Sequence, residues 1–535
     1  MEKLLHFVNT FCDALAPVTD AIWDFPTNLS WYASIPVLGQ LSFPVILLLG
    51  AGIYFTVKTG FIQGMSPVRI IRIMVSKQPS KTGVSALGSF MLGLAMRAGP
   101  GNIVGITGAI TVGGPGAMFW MWVAAFFGMA TAFMESTLAQ IFKEKKDDEF
   151  VGGLPFYGKR VLGNKRFIGL FLSIVFICYA LGNVPIQTFN VFTAIGNIVE
   201  NIVGKSPDLA QTIVGGHVTR QSVLDYAFAV VIVVSCAFII LGGIKRVIRY
   251  TDVLVPLKAL LFCGMSLVII LMNLPVLPYF FQEVFVGAFT PHAIFGGAIG
   301  VAIAQGVKRG LMSNEAGQGT ITMAAAVADN KHPCEQGFVQ SLGVCFDTMV
   351  ICTMTGFIVI MAHIWTGHVD GVMWESVRVS KLGTYLASVQ ALVPGSIATL
   401  VEIIMTVCYG LFAFTTLLGM ISFAEISANF ISKDKRFIFC VRVLGSLIFV
   451  PFGVLTFLSG LELGNLWAIS DLLNIVMVLL NVPILFVGGP LVYKALAHYR
   501  RTNGGKFISE RDIGVKTDYW TEEQQTHLHV AVPEK

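Results

Sequence analysis

The stretch RGLMSNEAGQG, residues 309–319, sets an arginine, a serine, an asparagine and a glutamate among three glycines. A second stretch, LAMRAGPGNIVGITGAI at 94–110, sets Arg97 beside backbone interrupted in the same way. Interrupted backbone of this kind has two chemical uses. Freed carbonyls coordinate cations, and the N-terminus of a half-helix offers N–H groups to an anion. Neither use is available facing lipid, where each unsatisfied backbone group costs several kcal/mol; both are available where the chain is buried or lines a cavity.

The surroundings of the two stretches are apolar. The 535 residues are 55% hydrophobic and 13% charged, against roughly 25% charged in a soluble domain, and the mean hydropathy is +0.75. Runs long enough to cross a ~30 Å hydrocarbon layer as helices recur throughout. Eleven spans are expected, near 39–57, 85–112, 117–142, 167–199, 222–243, 253–273, 292–328, 339–363, 395–424, 437–459 and 466–493. The fold class is an all-α polytopic membrane protein. A barrel would need strands of about ten alternating residues.

Loop charge gives an orientation. The segments 58–84, 143–166, 244–258, 329–338, 425–436 and 494–535 hold 5, 7, 4, 1, 3 and 7 Lys or Arg, and the alternate segments with the N-terminal one hold five. The positive-inside rule places the rich set in the cytoplasm, with the N-terminus outside and the C-terminus inside. In this count Lys258 belongs to the segment 244–258. Residues 1–38 form an extracytoplasmic segment without the pattern of a cleaved signal peptide. Its stretch LLHFVNTFCDALAPVTDAIW is weakly amphipathic and suits the outer interface. Residues 494–535 read as a polar cytoplasmic tail. Nine cysteines without paired spacing read as small apolar residues. No basic patch interleaved with aromatics suggests nucleic acid. No HExxH, nucleophile elbow or P-loop suggests an enzyme.

Arg442 lies near a span edge and can snorkel. The other basic residues assigned inside spans are Arg97, Lys308 and Arg309, and they lie in the two interrupted spans, the second and the seventh. Each begins a set of five spans, 85–273 and 292–493, after one extra span at 39–57. Five is odd, so the second set enters from the opposite side. Paired interruptions in an inverted repeat mark a transporter's substrate site. Charges at that depth need partners. For Arg97, Glu315 and Asp347 the readings are an ion pair bracing the broken helices or a carboxylate that binds the coupling ion or a proton. Asn183, Gln187 and Asn190 share one helix face, either as pocket lining or as interhelical bonds. Trp120 and Trp122 suit an interfacial belt.

The block GPGNIVGITGAITVGGPGAMFWMWVAAFFGMATAFMESTLAQIFKEK at 99–145 resembles the alanine/glycine:cation symporter family, the sodium:alanine symporters. So do RGLMSNEAGQG, HPCEQGFVQSLGVCFDTMVICT at 332–353 and LFAFTTLLGM at 411–420. The resemblance runs from about 39 to 495. It implies a prokaryotic inner-membrane symporter for a small neutral amino acid, sodium as the coupling ion, no cofactor, and a LeuT-like fold of five plus five inverted helices after one extra helix. For the substrate it points to Gly99, Gly101 and Asn102 for the carboxylate, with Pro100 in place of a common Thr and lacking an N–H. Ser313, Asn314, Gly317 and Gly319 fall to the ammonium. For sodium it points to the Ala95 and Ala98 carbonyls with Thr415 and Thr416. Met420 stands where many members have Trp, which leaves alanine, glycine, serine and glutamine open as substrates. A proton-coupled transporter of the same fold is the alternative, ahead of a channel or a non-transporting sensor.

Overall fold

The computed structural model describes residues 2–35, 38–76, 82–203, 212–214, 218–289, 299–365, 381–458 and 463–523. They are largely helical. The strands among them are two short antiparallel pairs, Glu144–Lys146 with Glu149–Val151 and Thr212–Val214 with Val218–Thr219.

Among the described residues, seven helices are long and apolar enough to cross a membrane: Gly116–Ile141, Arg166–Ile202, Ile244–Met272, Pro333–Ala362, Gly395–Ala428, Lys435–Leu455 and Ile469–Thr502. Shorter apolar helices add Phe43–Lys58, Ala86–Arg97, Gly101–Gly113, Ala227–Leu241 and Leu274–Phe289. Each of the eleven expected spans contains helix, but length and composition alone mark seven. The outward faces are what a lipid-facing surface requires. Along Ile244–Met272 the exposed residues include Val253, Leu257, Leu260, Leu267, Val268 and Leu271. The buried stripe of the same helix is Thr251, Val255, Lys258, Phe262, Ser266 and Ile269. Polarity therefore points inward, the reverse of a soluble amphipathic helix.

Both interrupted spans are broken as their glycines suggested. The first runs as Ala86–Arg97, leaves helical geometry at Ala98 (ψ 77°), and resumes through a wide turn at Gly101–Gly105 into Ile106–Gly113. Pro100 has no N–H to continue the ladder. The second runs as Ile299–Asn314 and resumes at Thr322–Ala326. Between them Glu315, Gly317 and Gly319 have φ of 57°, 90° and 76°. Glycine takes that region freely; a glutamate there is strained by its Cβ and has to be held by its surroundings. The long helices cradle these breaks. Gly395–Ala428 lies along Arg166–Val203, and Gly116–Ile141 packs against both Ile299–Asn314 and Pro333–Cys345. A Cβ at Gly306 would come within 2.5 Å of the Ala117 carbonyl, so glycine is what lets the second broken helix approach that closely.

Three peripheral readings change. The segment expected as a free polar tail is helical to Thr502 and then folds back. Phe507 and Trp520 are buried, Trp520 Nε1 donates to Gln140 O (2.7 Å), and the Lys143 ammonium lies 4.1 to 5.1 Å from the rings of Phe150, Tyr519 and Trp520. The N-terminal helix Glu2–Asp24 buries Trp23, whose Nε1 donates to Asp471 O (2.9 Å), so its C-terminal end docks on the protein. Trp120 and Trp122 donate to Ala288 O (3.3 Å) and Thr353 Oγ1 (2.8 Å); they are packing residues with protein partners.

The tail rests on a chain of imidazoles. His332 Nδ1 accepts from Cys334 N (3.2 Å), His332 Nε2 faces His498 Nδ1 (3.2 Å), and His498 Nε2 faces Asp512 (3.4 Å). Burial, with His498 adding to it, pushes His332 down to about 3. A histidine whose folded value lies below its ordinary ~6.5 binds fewer protons folded than unfolded, so stability falls as pH drops through 6.5 toward 3. The melting temperature of the purified protein is expected to fall between pH 7 and pH 5. His332→Asn is expected to flatten that fall, and an equal slope in the variant would show that the pair is not its source.

Candidate substrate and cation site

A cavity of about 520 Å³ of empty space lies at the breaks. It is lined by Arg97, Gly99, Pro100, Gly101 and Gly105 of the first broken helix and by Arg309, Met312 and Glu315 of the second. Tyr179, Asn183 and Gln187 come from Arg166–Val203, Thr416 and Met420 from Gly395–Ala428, and Trp467, Ser470 and Asn474 from the last long helix. Of the face that was open between pocket and glue, Asn183 and Gln187 are pocket. Asn183 Oδ1 accepts from Ser470 Oγ (2.7 Å), and Gln187 Oε1 is buried with no partner among the described residues. Asn190 is glue, accepting from Tyr409 OH (2.7 Å).

The cavity wall offers both signs of recognition. A Cβ added at Gly101 would meet nothing within 4 Å, so this backbone is open to the cavity. Glu315 is buried and its Oε2 accepts from Thr320 Oγ1 (2.7 Å). The expected ion pair of Glu315 with Arg97 does not form: among the described residues no cation lies within salt-bridge distance of Glu315. Arg97 Nε donates to Asn314 O (2.9 Å), and its Nη1 donates to Gln340 O (2.9 Å) and Gln340 Oε1 (3.1 Å). Arg97 thus bridges the two broken helices through a carbonyl. Lys308 and Arg309 pair with Asp471 (3.7 and 3.4 Å), not with Glu315.

Gly317 and Gly319 face away from the cavity. The Gly317 carbonyl accepts from Asn481 Nδ2 (2.9 Å), and the Gly319 N–H donates to Glu135 Oε2 (3.0 Å). Glu135 is fully buried and holds the second break in shape. Ser313 and Asn314 also turn from the cavity.

They turn toward Asp347. This carboxylate is fully buried in a wide helical turn, Phe346–Cys352. Its Oδ1 accepts from Asn102 Nδ2 (2.6 Å) and its Oδ2 from Ser313 Oγ (2.5 Å). Thr348 Oγ1 lies beside it and accepts from Asn314 Nδ2 (3.1 Å). One residue from each broken helix therefore meets a carboxylate that has only neutral partners within hydrogen-bonding distance. The carboxylate with the Ser313 and Thr348 hydroxyls gives oxygens that suit a hard monovalent cation, while Asn102 and Asn314 turn their amide NH2 groups toward them.

The oxygens expected to hold sodium also come together, with an addition that sequence reading missed. Thr416 Oγ1 lies 3.1 Å from Ala95 O. Lys258, counted among loop charges, is instead fully buried. Its Nζ donates to Ala98 O (2.7 Å) and Thr415 Oγ1 (2.5 Å) and lies 3.5 Å from Ala95 O. The available signal was the inward polar stripe Thr251, Lys258, Ser266 on a helix whose exposed residues from Val253 onward are apolar. Tyr179, Trp467, Ser470 and Asn474 were missed as well; nothing in their spacing separates them from packing residues.

The profile of the sodium:alanine symporter family matches residues 31–510. The chain belongs to that family. Among relatives, the probable sodium/glutamine symporter GlnT of Bacillus subtilis is 34% identical over 460 residues, 85% of this chain and 87% of the relative. The amino-acid carrier protein AlsT of the same organism is 33% identical, over 90% and 95% of the two chains. The sodium/alanine symporter AgcS of Methanococcus maripaludis is 32% identical, over 85% and 93%. The crystal structure of MhsT in complex with L-phenylalanine superposes with a TM-score of 0.52 at 13% identity, covering 84% of this chain and 96% of that one; this likeness shows the LeuT-type fold. The protein is thus a multi-pass membrane transporter of that fold and not an enzyme.

Proposed function

We infer that the protein is a sodium-coupled symporter that imports a small neutral amino acid by alternating access. The observation that carries this reading is the cavity between two broken helices, with open backbone at Gly101 on one wall and the Glu315 carboxylate on the other. A zwitterion needs both: N–H groups for its carboxylate at the start of the resumed helix, and an acceptor for its ammonium. Gly101 and the cavity-lining amides Asn183 and Gln187 bind and orient the substrate; Gly99 lines the wall with its N–H already engaged by Arg97 O and Asn102 Oδ1. Glu315, freed from the pairing expected of it, is the counter-charge. Sodium is taken at Asp347, where Asn102 and Ser313 tie the ion's occupancy to the position of both broken helices. The protein lies in the prokaryotic inner membrane with its N-terminus outside and its tail in the cytoplasm, as the loop charges support.

Uptake of a panel of labelled amino acids into proteoliposomes, with and without a sodium gradient at fixed pH, tests the reading. Concentrative uptake driven by sodium alone supports it. Uptake driven by a pH gradient without sodium would put proton coupling in its place, and uptake that equilibrates without concentrating would mean a channel.

Met420 sets the size of the accepted side chain. It is buried in the wall of the cavity that Gly99, Gly101 and Gly105 also line, and a flexible thioether yields where an indole does not. Met420→Trp is expected to cut uptake of glutamine-sized substrates by at least ~10-fold relative to alanine, since lost room of this kind is worth ~1–3 kcal/mol. An unchanged substrate profile would remove Met420 from the size filter.

A further inference from the structure

The break after Arg97 leaves carbonyls without helical partners. In a continuous helix Ala95 O would accept from Gly99 N and Ala98 O from Asn102 N. Here Gly99 N turns to Arg97 O (2.7 Å) and Asn102 Oδ1 (3.0 Å), and Asn102 N turns to Gly99 O (3.1 Å). Ala95 O and Ala98 O are thereby released from the helical ladder at the negative end of a half-helix, beside Gly395–Ala428, whose Thr416 Oγ1 donates to Ala95 O (3.1 Å). This is an oxygen cluster made for a monovalent cation. The Lys258 ammonium reaches it from Ile244–Met272, at 2.7 Å from Ala98 O, 2.5 Å from Thr415 Oγ1 and 3.5 Å from Ala95 O. Its three protons meet three acceptors, and the Phe412 ring lies 5.1 Å from Nζ.

We propose that Lys258 is a tethered cation that permanently takes the sodium position formed by Ala95, Ala98 and Thr415, leaving the transporter one free-cation site. Two monovalent cations sharing these oxygens would lie a few Å apart in a poorly screened interior, and their repulsion excludes the second. The lysine therefore does what a bound ion would do there. It ties the first broken helix to a helix of each repeat, but it does not leave with the substrate. Lys258 is a positioning residue: it acts through the first broken helix and does not touch the cavity.

The number of ions rests on the sodium-coupled reading, so the test uses a readout that needs no substrate. The melting temperature of the purified full-length protein is followed as NaCl or methylammonium chloride replaces choline chloride at constant ionic strength. A ligand that binds the native state raises it. Wild type is expected to respond to sodium, not to methylammonium, and its sodium response should survive Thr415→Ala. Lys258→Ala should melt lower in choline chloride and gain a response of several degrees to methylammonium as well as a larger one to sodium. Adding Thr415→Ala should remove both gains. Lys258→Met keeps the apolar stem; should the alanine variant not fold, it is expected to gain the sodium response alone. Cation responses in Lys258→Ala or Lys258→Met no larger than wild type, or loss of the wild-type sodium response in Thr415→Ala, would overturn the proposal. Failure of the transport reading would show separately, as absence of sodium-driven uptake.

Discussion

Asp347→Asn is expected to raise the sodium concentration needed for half-maximal uptake by about 100-fold or more. A charged ligand exchanged for a neutral one in a buried site forfeits ~3 kcal/mol, and 1.4 kcal/mol is tenfold. The geometry adds a second loss. Both carboxylate oxygens accept, one from Asn102 Nδ2 and one from Ser313 Oγ. An asparagine turns an amide NH2 toward one of these donors, which must then move, and with it one of the two broken helices. The apparent affinity for the amino acid should fall by the factor that sodium binding contributes, because the linkage is reciprocal. Initial rates across a sodium titration, at saturating and at low substrate, measure both effects. A variant with unchanged sodium dependence would place the coupling ion elsewhere. One that keeps sodium dependence but no longer responds to a pH gradient would make Asp347 a proton carrier.

The positions of the two breaks were legible because glycine and proline within apolar runs have few other uses, and the charges beside them had to be buried. Among the described residues, length and composition mark seven of the eleven expected spans. The partners of the charges were not legible. Arg97 and Glu315 looked matched by sign and by repeat position, yet Arg97 turns to Asn314 O and to Gln340, which lies 243 residues away along the chain. A guanidinium with five donors can turn to carbonyls as well as to a carboxylate, here with Arg97 Nη2 left without a partner among the described residues, and a carbonyl has no sequence signature. Lys258 escaped for a related reason: near a span boundary one lysine counts equally as a loop charge or a buried one. Only the phase of Thr251, Lys258 and Ser266 on the helix decides between them.

The same two residues give the last expectation. Arg97→Gln should destabilise the protein by ~3–5 kcal/mol, the cost of breaking a buried charged contact. It removes three hydrogen bonds that hold the second broken helix and Gln340 to the first. Glu315→Gln should leave stability nearly unchanged, since its carboxylate has no cation to lose and Thr320 can still donate to an amide oxygen. Its loss should appear in substrate binding instead, as a ~10–100-fold weaker affinity, the ~1.5–3 kcal/mol of a hydrogen bond to a charged group. Residues that share no contact add within ~0.5 kcal/mol. The melting free energy of Arg97→Gln/Glu315→Gln should therefore equal the sum of the single changes. A double variant more than about 1 kcal/mol more stable than that sum, against the ~0.5 kcal/mol expected of independent sites, would mean that the two charges compensate each other directly. The substrate's ammonium would then need a different acceptor, with Gln187 Oε1, buried and unpartnered in the cavity wall, the next oxygen to test.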